Sequence, residues 1–420
     1  MSTRVRSYSK INLGLAIGPV RADGFHGLLT LYQTLALCDF VTVRARRAEQ
    51  TQIELTTSHP FVPRDGRNTA WKMVEKSLAR LGIAAEVQIH IEKNLPVQGG
   101  MGAGSANAAA ALIGLERELG VGPDTNSAGA WADAGRLALA AEVGSDVPLF
   151  LVGGAVLGTG RGELVEAMLD MPRTVCLVAV PGVGVSTPAA FRAWDAKRQL
   201  VVGSCELLVE GQGQRAGEGE TGVLDEVSGI GYQVSGGVGL TSPPPPDRVK
   251  ELSHAYASAF GRHESGTSGI VPGHDPADAG QYSEKKQGGS GAGSDFDLGR
   301  GLMGSESDLA ENTLLSPVRT GVENNFANEF LVNDFEEVVF PEYPSLREIK
   351  RLLMGIETEA PALYAALSGS GSALFGLYRS TADAEAAQRR IRAAGLEFGV
   401  KTFLTETLPR PEYWARMFAG

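Results

Sequence analysis

At 420 residues the chain exceeds what one hydrophobic core holds, about 250–300 residues, and its 43% hydrophobic and 21% charged composition is that of a globular protein and not of a fibrous or wholly disordered one. Its 38 basic against 49 acidic residues give a net charge of −11, which argues against a nucleic-acid partner, because binding a polyanion needs a concentrated basic surface. Three widely spaced cysteines, Cys38, Cys176 and Cys205, with no CxxC pair, imply neither a disulfide framework nor a zinc site.

In chain order, alternating or apolar runs predict strands over 8–17 and 39–44, the second ending in a solvated Arg44, Arg46, Arg47 cluster. Spacing of 3.6 predicts a helix over 69–81 with Trp71, Val74 and Leu78 on one face, and a strand follows over 87–91, closed by Lys93-Asn94-Leu95-Pro96. A glycine-rich loop leads to an alanine-rich helix that Ser105 is placed to cap and Gly120 to end, and a second helix is expected over 130–143, stopping at Gly144. Residues 174–181 read as an apolar strand of the same sheet as the C-terminal part, where helices over 343–354 and 382–394 alternate with strands over 373–378 and 399–404. Between them, positions 201–300 hold 21 of the 54 glycines together with Pro243–Pro246, a composition that buries little apolar surface against its chain entropy. The expected layout is an N-terminal α+β unit over 1–160, a C-terminal α+β unit from 161–200 plus 325–420, and an insertion over 201–324. That insertion is either largely disordered, with a helix over 247–260, or a small accessory module. No apolar stretch approaches a signal core or the ~20 residues of a membrane span, so cytoplasm without membrane contact is the expected setting.

Three elements carry chemistry. Pro96-Val97-Gln98-Gly99-Gly100-Met101-Gly102-Ala103-Gly104-Ser105-Ala106-Asn107 stands between a strand and a helix, where glycines let backbone N–H groups approach an anion and the helix start adds partial positive charge. Read alone, the loop is either a phosphate cradle or a plain turn; it has neither the lysine of GxxxxGK[ST] nor GxGxxG spacing. Lys10 and Asn12 share one face of the first strand, opposite Ile11, Leu13 and Leu15. Asp146, set among Val143, Val147, Leu149 and Phe150, reads as a mostly buried carboxylate needing a partner, a role Lys10 can fill, or else as a turn cap. Leu367-Ser368-Gly369-Ser370-Gly371-Ser372 is a further glycine turn before a strand.

The first strand, the glycine loop and the C-terminal glycine turn, in this order, resemble the three signature motifs of the galactokinase, homoserine kinase, mevalonate kinase and phosphomevalonate kinase (GHMP) superfamily. Four further blocks are similar to its 4-diphosphocytidyl-2-C-methyl-D-erythritol kinase family: Arg21-Ala22-Asp23-Gly24-Phe25-His26, Gly144-Ser145-Asp146-Val147-Pro148-Leu149-Phe150, Pro181-Gly182-Val183-Gly184-Val185-Ser186-Thr187-Pro188 and Leu331-Val332-Asn333-Asp334-Phe335-Glu336. The resemblance covers about 1–200 and 325–420. It implies a two-domain α+β fold, ribosomal-protein-S5-like then ferredoxin-like, that uses ATP and Mg²⁺ to phosphorylate the 2-hydroxyl of a cytidine diphosphate methylerythritol. It further implies Asp146 as catalytic base and Lys10 as its orienting partner. Asn12, Phe25, His26 and Phe191 fall on positions for the cytidine end, and Asn68 with Pro96 to Ala106 on the ATP site. Phe25 stands where the family has Tyr, and Ala103 and Ala106 where it has Gly and Ser. The 201–324 insertion is foreign to the pattern. Within the superfamily, a homoserine- or mevalonate-type kinase is the alternative; outside it, a non-catalytic nucleotide-binding scaffold.

Overall fold

The computed structural model describes residues 2–97, 99–123, 129–198, 331–396 and 399–419. The insertion expected over 201–324, its helix over 247–260, Cys205 and Gln98 lie outside these residues. Strands β1 (Thr3–Val20) and β2 (His26–Arg47) form a long antiparallel hairpin that sets Lys10 opposite Thr34 and Asn12 opposite Tyr32. With β3 (Gln52–Thr57), β4 (Ala85–Glu92), β5 (Ala155–Thr159) and β6 (Leu164–Ala167) they make a six-stranded sheet, in which one half of β2 pairs with β5 and the other with β4.

Helices α1 (Thr69–Leu81), α2 (Ala103–Glu118) and α3 (Ala134–Val143) pack with this sheet around one hydrophobic cluster, joined by the short α4 (Leu149–Val152). Helix α2 is buried on nearly all sides, so its alanine run is that of a central helix. Its start departs from the sequence expectation. The cap is Gly102, in the left-handed region at φ 69° with no side-chain bond, and Ser105 sits inside the first turn. Helix α3 begins later than expected, because Asp133 caps it by accepting from the Arg136 N–H. On α1, Val74 and Leu78 are buried as expected, while Trp71 is only half-buried.

After β7 (Val175–Pro181) come α5 (Glu336–Glu342), α6 (Pro344–Met354), β8 (Tyr364–Leu367), β9 (Leu374–Tyr378), α7 (Thr381–Ala393), β10 (Val400–Glu406) and α8 (Arg410–Ala415). The second sheet has the order β10-β7-β9-β8, so the apolar run at 174–181 does join the C-terminal strands. One apolar layer brings Ile11, Leu13, Leu29 and Leu31 of the first sheet against Val178, Phe375 and Leu377 of the second; another gathers α5 to α7 with Leu177, Ala179 and Leu374. The tail returns to the first sheet: Arg6 N–H donates to the Met417 carbonyl at 2.8 Å, Val5 bridges Phe418, and Tyr413 Oη donates to the Phe150 carbonyl at 2.6 Å. Trp414 Nε1 donates to the Val152 carbonyl at 3.0 Å.

Candidate active site

Because side chains alternate along β1, Lys10 and Asn12 emerge on the same face while Ile11 and Leu13 enter the core between the sheets. That polar face is not solvent-exposed: Lys10 and Asn12 are both 2% exposed. Lys10 Nζ donates to Asn12 Oδ1 at 2.6 Å and lies 3.4 Å from Asp146 Oδ2. Asp146 Oδ1 accepts from Tyr32 Oη at 2.9 Å, so each carboxylate oxygen has its own donor. Burial first, then the charge and hydrogen bond of Asp146, push the Tyr32 hydroxyl well above the usual tyrosine range. Asp146 itself is less buried than its apolar neighbours in sequence imply; its side chain keeps 32% of its exposure and opens toward solvent.

The glycine loop passes directly beside this pair. Lys10 N–H donates to the Met101 carbonyl at 3.1 Å, and a Cβ on Gly102 would lie 3.1 Å from Lys10 Cγ and 2.9 Å from Phe150 Cζ. Gly100, at φ 76°, is held under the C-terminal glycine turn, where Ser368 Oγ donates to the Gly100 carbonyl at 3.0 Å. Ala373 N–H donates to the Gly99 carbonyl at 3.2 Å. With no side chain capping α2, its first N–H groups point to the loop side, which is the arrangement that binds an anion. A cleft of about 380 Å³ lies there, lined by Asn68, Thr69, Lys93, Pro96, Val97 and the loop from Gly99 to Ser105. Asn68 spends its amide internally, accepting from Ala70 N–H at 2.9 Å to cap α1 and donating to the Pro63 carbonyl at 2.8 Å. Ala106, on α2, faces the core and lies outside this lining.

Lys93, one of the lining residues, is anchored by a buried carboxylate. Asp39 on β2, fully buried, pairs with Lys93, and its Oδ1 accepts from the N–H groups of Asn94 and Leu95 at 2.7 Å each. On the opposite side, Asn333 Nδ2 donates to the carbonyls of Leu367 and Gly369 at 2.8 Å each and so fixes the C-terminal glycine turn.

A second group surrounds His26. Its ring stacks on Phe191 (centroids 5.0 Å apart, planes 9° apart), whose ring meets the edge of Phe335 at 4.9 Å. His26 Nδ1 lies 2.9 Å from the Gly18 carbonyl, and Nε2 lies 3.1 Å from Asp195 Oδ1. Phe25 stands apart from this stack; it is 54% exposed, with the Arg161 guanidinium over its ring at 5.0 Å.

Of the residues singled out in the sequence, then, Lys10, Asn12 and Asp146 meet beside the glycine loop, and His26 meets Phe191, while Phe25 lies at the rim. Tyr32, Thr30, Asp39, Asp195 and Asn333 were not foreseen as site residues. In the first half of β2, Thr30, Tyr32 and Thr34 alternate with Leu29, Leu31 and Leu35, but the strands expected in this part of the sequence cover 8–17 and 39–44 only, and both faces of β2 are buried here. Only pairing β2 against β1 across the 21–26 turn would have found them.

Among the described residues no helix is long and apolar enough to cross a membrane. Family models match residues 68–154 as the N-terminal domain of GHMP kinases and 320–396 as their C-terminal domain. The chain is 41% identical over 193 residues to a 4-diphosphocytidyl-2-C-methyl-D-erythritol kinase of a Nocardioides species, covering 46% of this chain and 62% of the relative. It is 34% identical over 237 residues to the enzyme of the same name from Caldicellulosiruptor bescii, covering 55% of this chain and 79% of that relative. The chain thus spans less than two thirds of the Nocardioides protein's length. A crystal structure of 4-(cytidine 5'-diphospho)-2C-methyl-D-erythritol kinase superposes with a TM-score of 0.53 at 20% identity over 96% of this chain and 98% of the other, and a homoserine kinase from Cytophaga hutchinsonii with 0.54 at 14% over 98% and 96%, a likeness of fold. By the extended match to the Caldicellulosiruptor relative, together with the two family models, the chain belongs to the 4-diphosphocytidyl-2-C-methyl-D-erythritol kinase family of the GHMP kinases.

Proposed function

We propose that the protein transfers the γ-phosphoryl group of ATP to the 2-hydroxyl of 4-diphosphocytidyl-2-C-methyl-D-erythritol, in the cytoplasm. The observation that carries this reading is the Lys10–Asp146 pair, 3.4 Å apart, beside a glycine loop that opens on the start of α2. Phosphoryl transfer asks a protein chiefly to align the nucleophile and to neutralise phosphate charge. In the reaction, the acceptor oxygen forms a bond to the γ-phosphorus as the bond to the ADP oxygen breaks, and the hydroxyl proton passes to Asp146. Lys10 and Tyr32 hold the two oxygens of that carboxylate in place. Loop N–H groups and the helix start carry the phosphates.

Among the described residues no group of three or more His, Cys, Asp or Glu side chains could hold a metal ion. Mg²⁺ would be carried on the nucleotide phosphates, where it would supply charge neutralisation. The His26–Phe191 stack lies on elements that the family resemblance links to the cytidine end, and the proposal gives those two residues, with Asn12 and Phe25, to the acceptor side. Asn68, Pro96, Val97, Gln98 and the loop through Ser105 go to the ATP side.

The test is ADP release by the purified protein against a panel of alcohols that includes the cytidine diphosphate acceptor, homoserine and mevalonate. Turnover on the first alone is expected. Comparable turnover on either of the others, or none on any, would sink the proposal.

A further inference from the structure

We infer that Thr30 is a positioning residue for the reacting pair, acting through Asn12 on Lys10; the inference deepens the kinase reading and rests on it. Thr30 has one hydroxyl proton, and it is given to the Gly14 carbonyl at 3.0 Å, at the bulge that interrupts the β1–β2 ladder between Asn12 and Gly14. The hydroxyl is then left with lone pairs only, and one accepts from Asn12 Nδ2 at 2.7 Å. That bond and the Lys10 ammonium together set which way the Asn12 amide faces. Its nitrogen turns to Thr30 and its carbonyl oxygen to Lys10 Nζ, 2.6 Å away. Lysine carries donors and no acceptor, so the opposite orientation would set two donors against each other. The direction of every bond in the row is thus fixed at both ends, by an ammonium that only donates and a Gly14 carbonyl that only accepts, and Thr30 is the link that joins them. Lys10, 2% exposed, has little water to replace a lost partner, and a displaced ammonium would leave Asp146 Oδ2.

Thr30 does not line the nucleotide cleft, so its loss acts on the acceptor hydroxyl and not on ATP. Thr30→Val keeps shape and strand preference but has no hydroxyl; Thr30→Ser keeps the hydroxyl. In a steady-state assay, Thr30→Val is expected to lower kcat by about 10- to 100-fold, the scale of a misplaced reacting group, with KM for ATP within about twofold of wild type, and Thr30→Ser to restore most of the rate. Wild-type kcat in Thr30→Val, an equal loss in Thr30→Ser, or a parallel rise in KM for ATP would overturn the inference. A readout free of turnover separates it from the kinase reading: in asparagine-labelled protein, the Asn12 side-chain amide protons should resist exchange in wild type and Thr30→Ser and lose that protection in Thr30→Val. If wild type phosphorylates none of the acceptors, the proposed function fails and this exchange result alone decides the role of Thr30, with unchanged protection in Thr30→Val overturning it.

Discussion

Lys10 stands between Asn12 and Asp146, donating to the first at 2.6 Å and lying 3.4 Å from the second. Its charge is therefore directed by one neighbour toward the other. In the proposed chemistry Asp146→Asn keeps the size of the side chain and removes the proton acceptor. The expected result is a fall in kcat of about 10²- to 10⁴-fold, the usual weight of a positioned base, with ATP affinity retained. Nucleotide titration together with turnover checks both halves, and near-normal turnover would remove Asp146 from the role.

The aromatic residues divide unequally. Phe191 is clasped between His26 and Phe335, whereas Phe25 is more than half exposed beneath Arg161. Phe191→Ala should raise KM for the cytidine acceptor by roughly 10-fold or more, in line with about 1–3 kcal/mol for a stacked base, and Phe25→Ala by less. KM for ATP should move little in either. An effect confined to ATP would show that the stack serves the nucleotide instead.

Gly100 has no room for a side chain, since a Cβ there would fall on the Ser368 carbonyl oxygen in a left-handed backbone. Gly100→Ala must push the C-terminal glycine turn off the loop. Loss of ATP binding is expected even where soluble protein is obtained, and a binding isotherm matching wild type would contradict the close packing described.

Asp39 and Lys93 form a pair with side chains 0% and 4% exposed. Removing one charge strands the other, so Asp39→Ala should cost about 3–5 kcal/mol of unfolding free energy. Replacing both, as in Asp39→Leu with Lys93→Met, should cost less than the single change. Urea titration of the three proteins measures the difference, and equal losses would mean that the backbone contacts to Asn94 and Leu95 outweigh the ion pair.

Three hydroxyls, Tyr32, Tyr364 and Tyr413, are pushed well above the usual tyrosine value, burial being the first cause in each. A group whose folded-state pKa is raised contributes stability that is whole below its unfolded value and is lost as pH rises beyond it. Stability should therefore hold to about pH 10 and then fall. Tyrosinate absorbance should rise together with unfolding. A rise well before loss of structure would show these hydroxyls to be reachable by water.

The elements and residues readable in the sequence were those with a local signature. The helix over 69–81 has 3.6 spacing, the glycine loop has its composition, and Lys10 and Asp146 stand in short distinctive blocks. What escaped depends on pairing across the chain. Thr30 and Tyr32 alternate with Leu29 and Leu31 in a stretch outside the expected strands, and the face they share is buried only by segments distant in sequence. Asn333 acts on carbonyls more than 30 positions away, and nothing local to it reveals that. The Ser105 cap was misplaced because the rule for helix starts assumes that the end is closed by its own side chain; here a glycine leaves it open on the cleft.

The tail's return to β1 sets the order in which a working molecule can arise. Arg6 is bonded to the carbonyl of Phe418, 412 positions later, and Tyr413 supports the Phe150 carbonyl only four residues from Asp146. During synthesis at about 5–20 residues per second, the stretch around Asp146 emerges long before the piece that braces it. Until residues 413–418 emerge, the Phe150 carbonyl and the Arg6 side chain lack these partners, so the flank of Asp146 is expected to stay unbraced through most of synthesis.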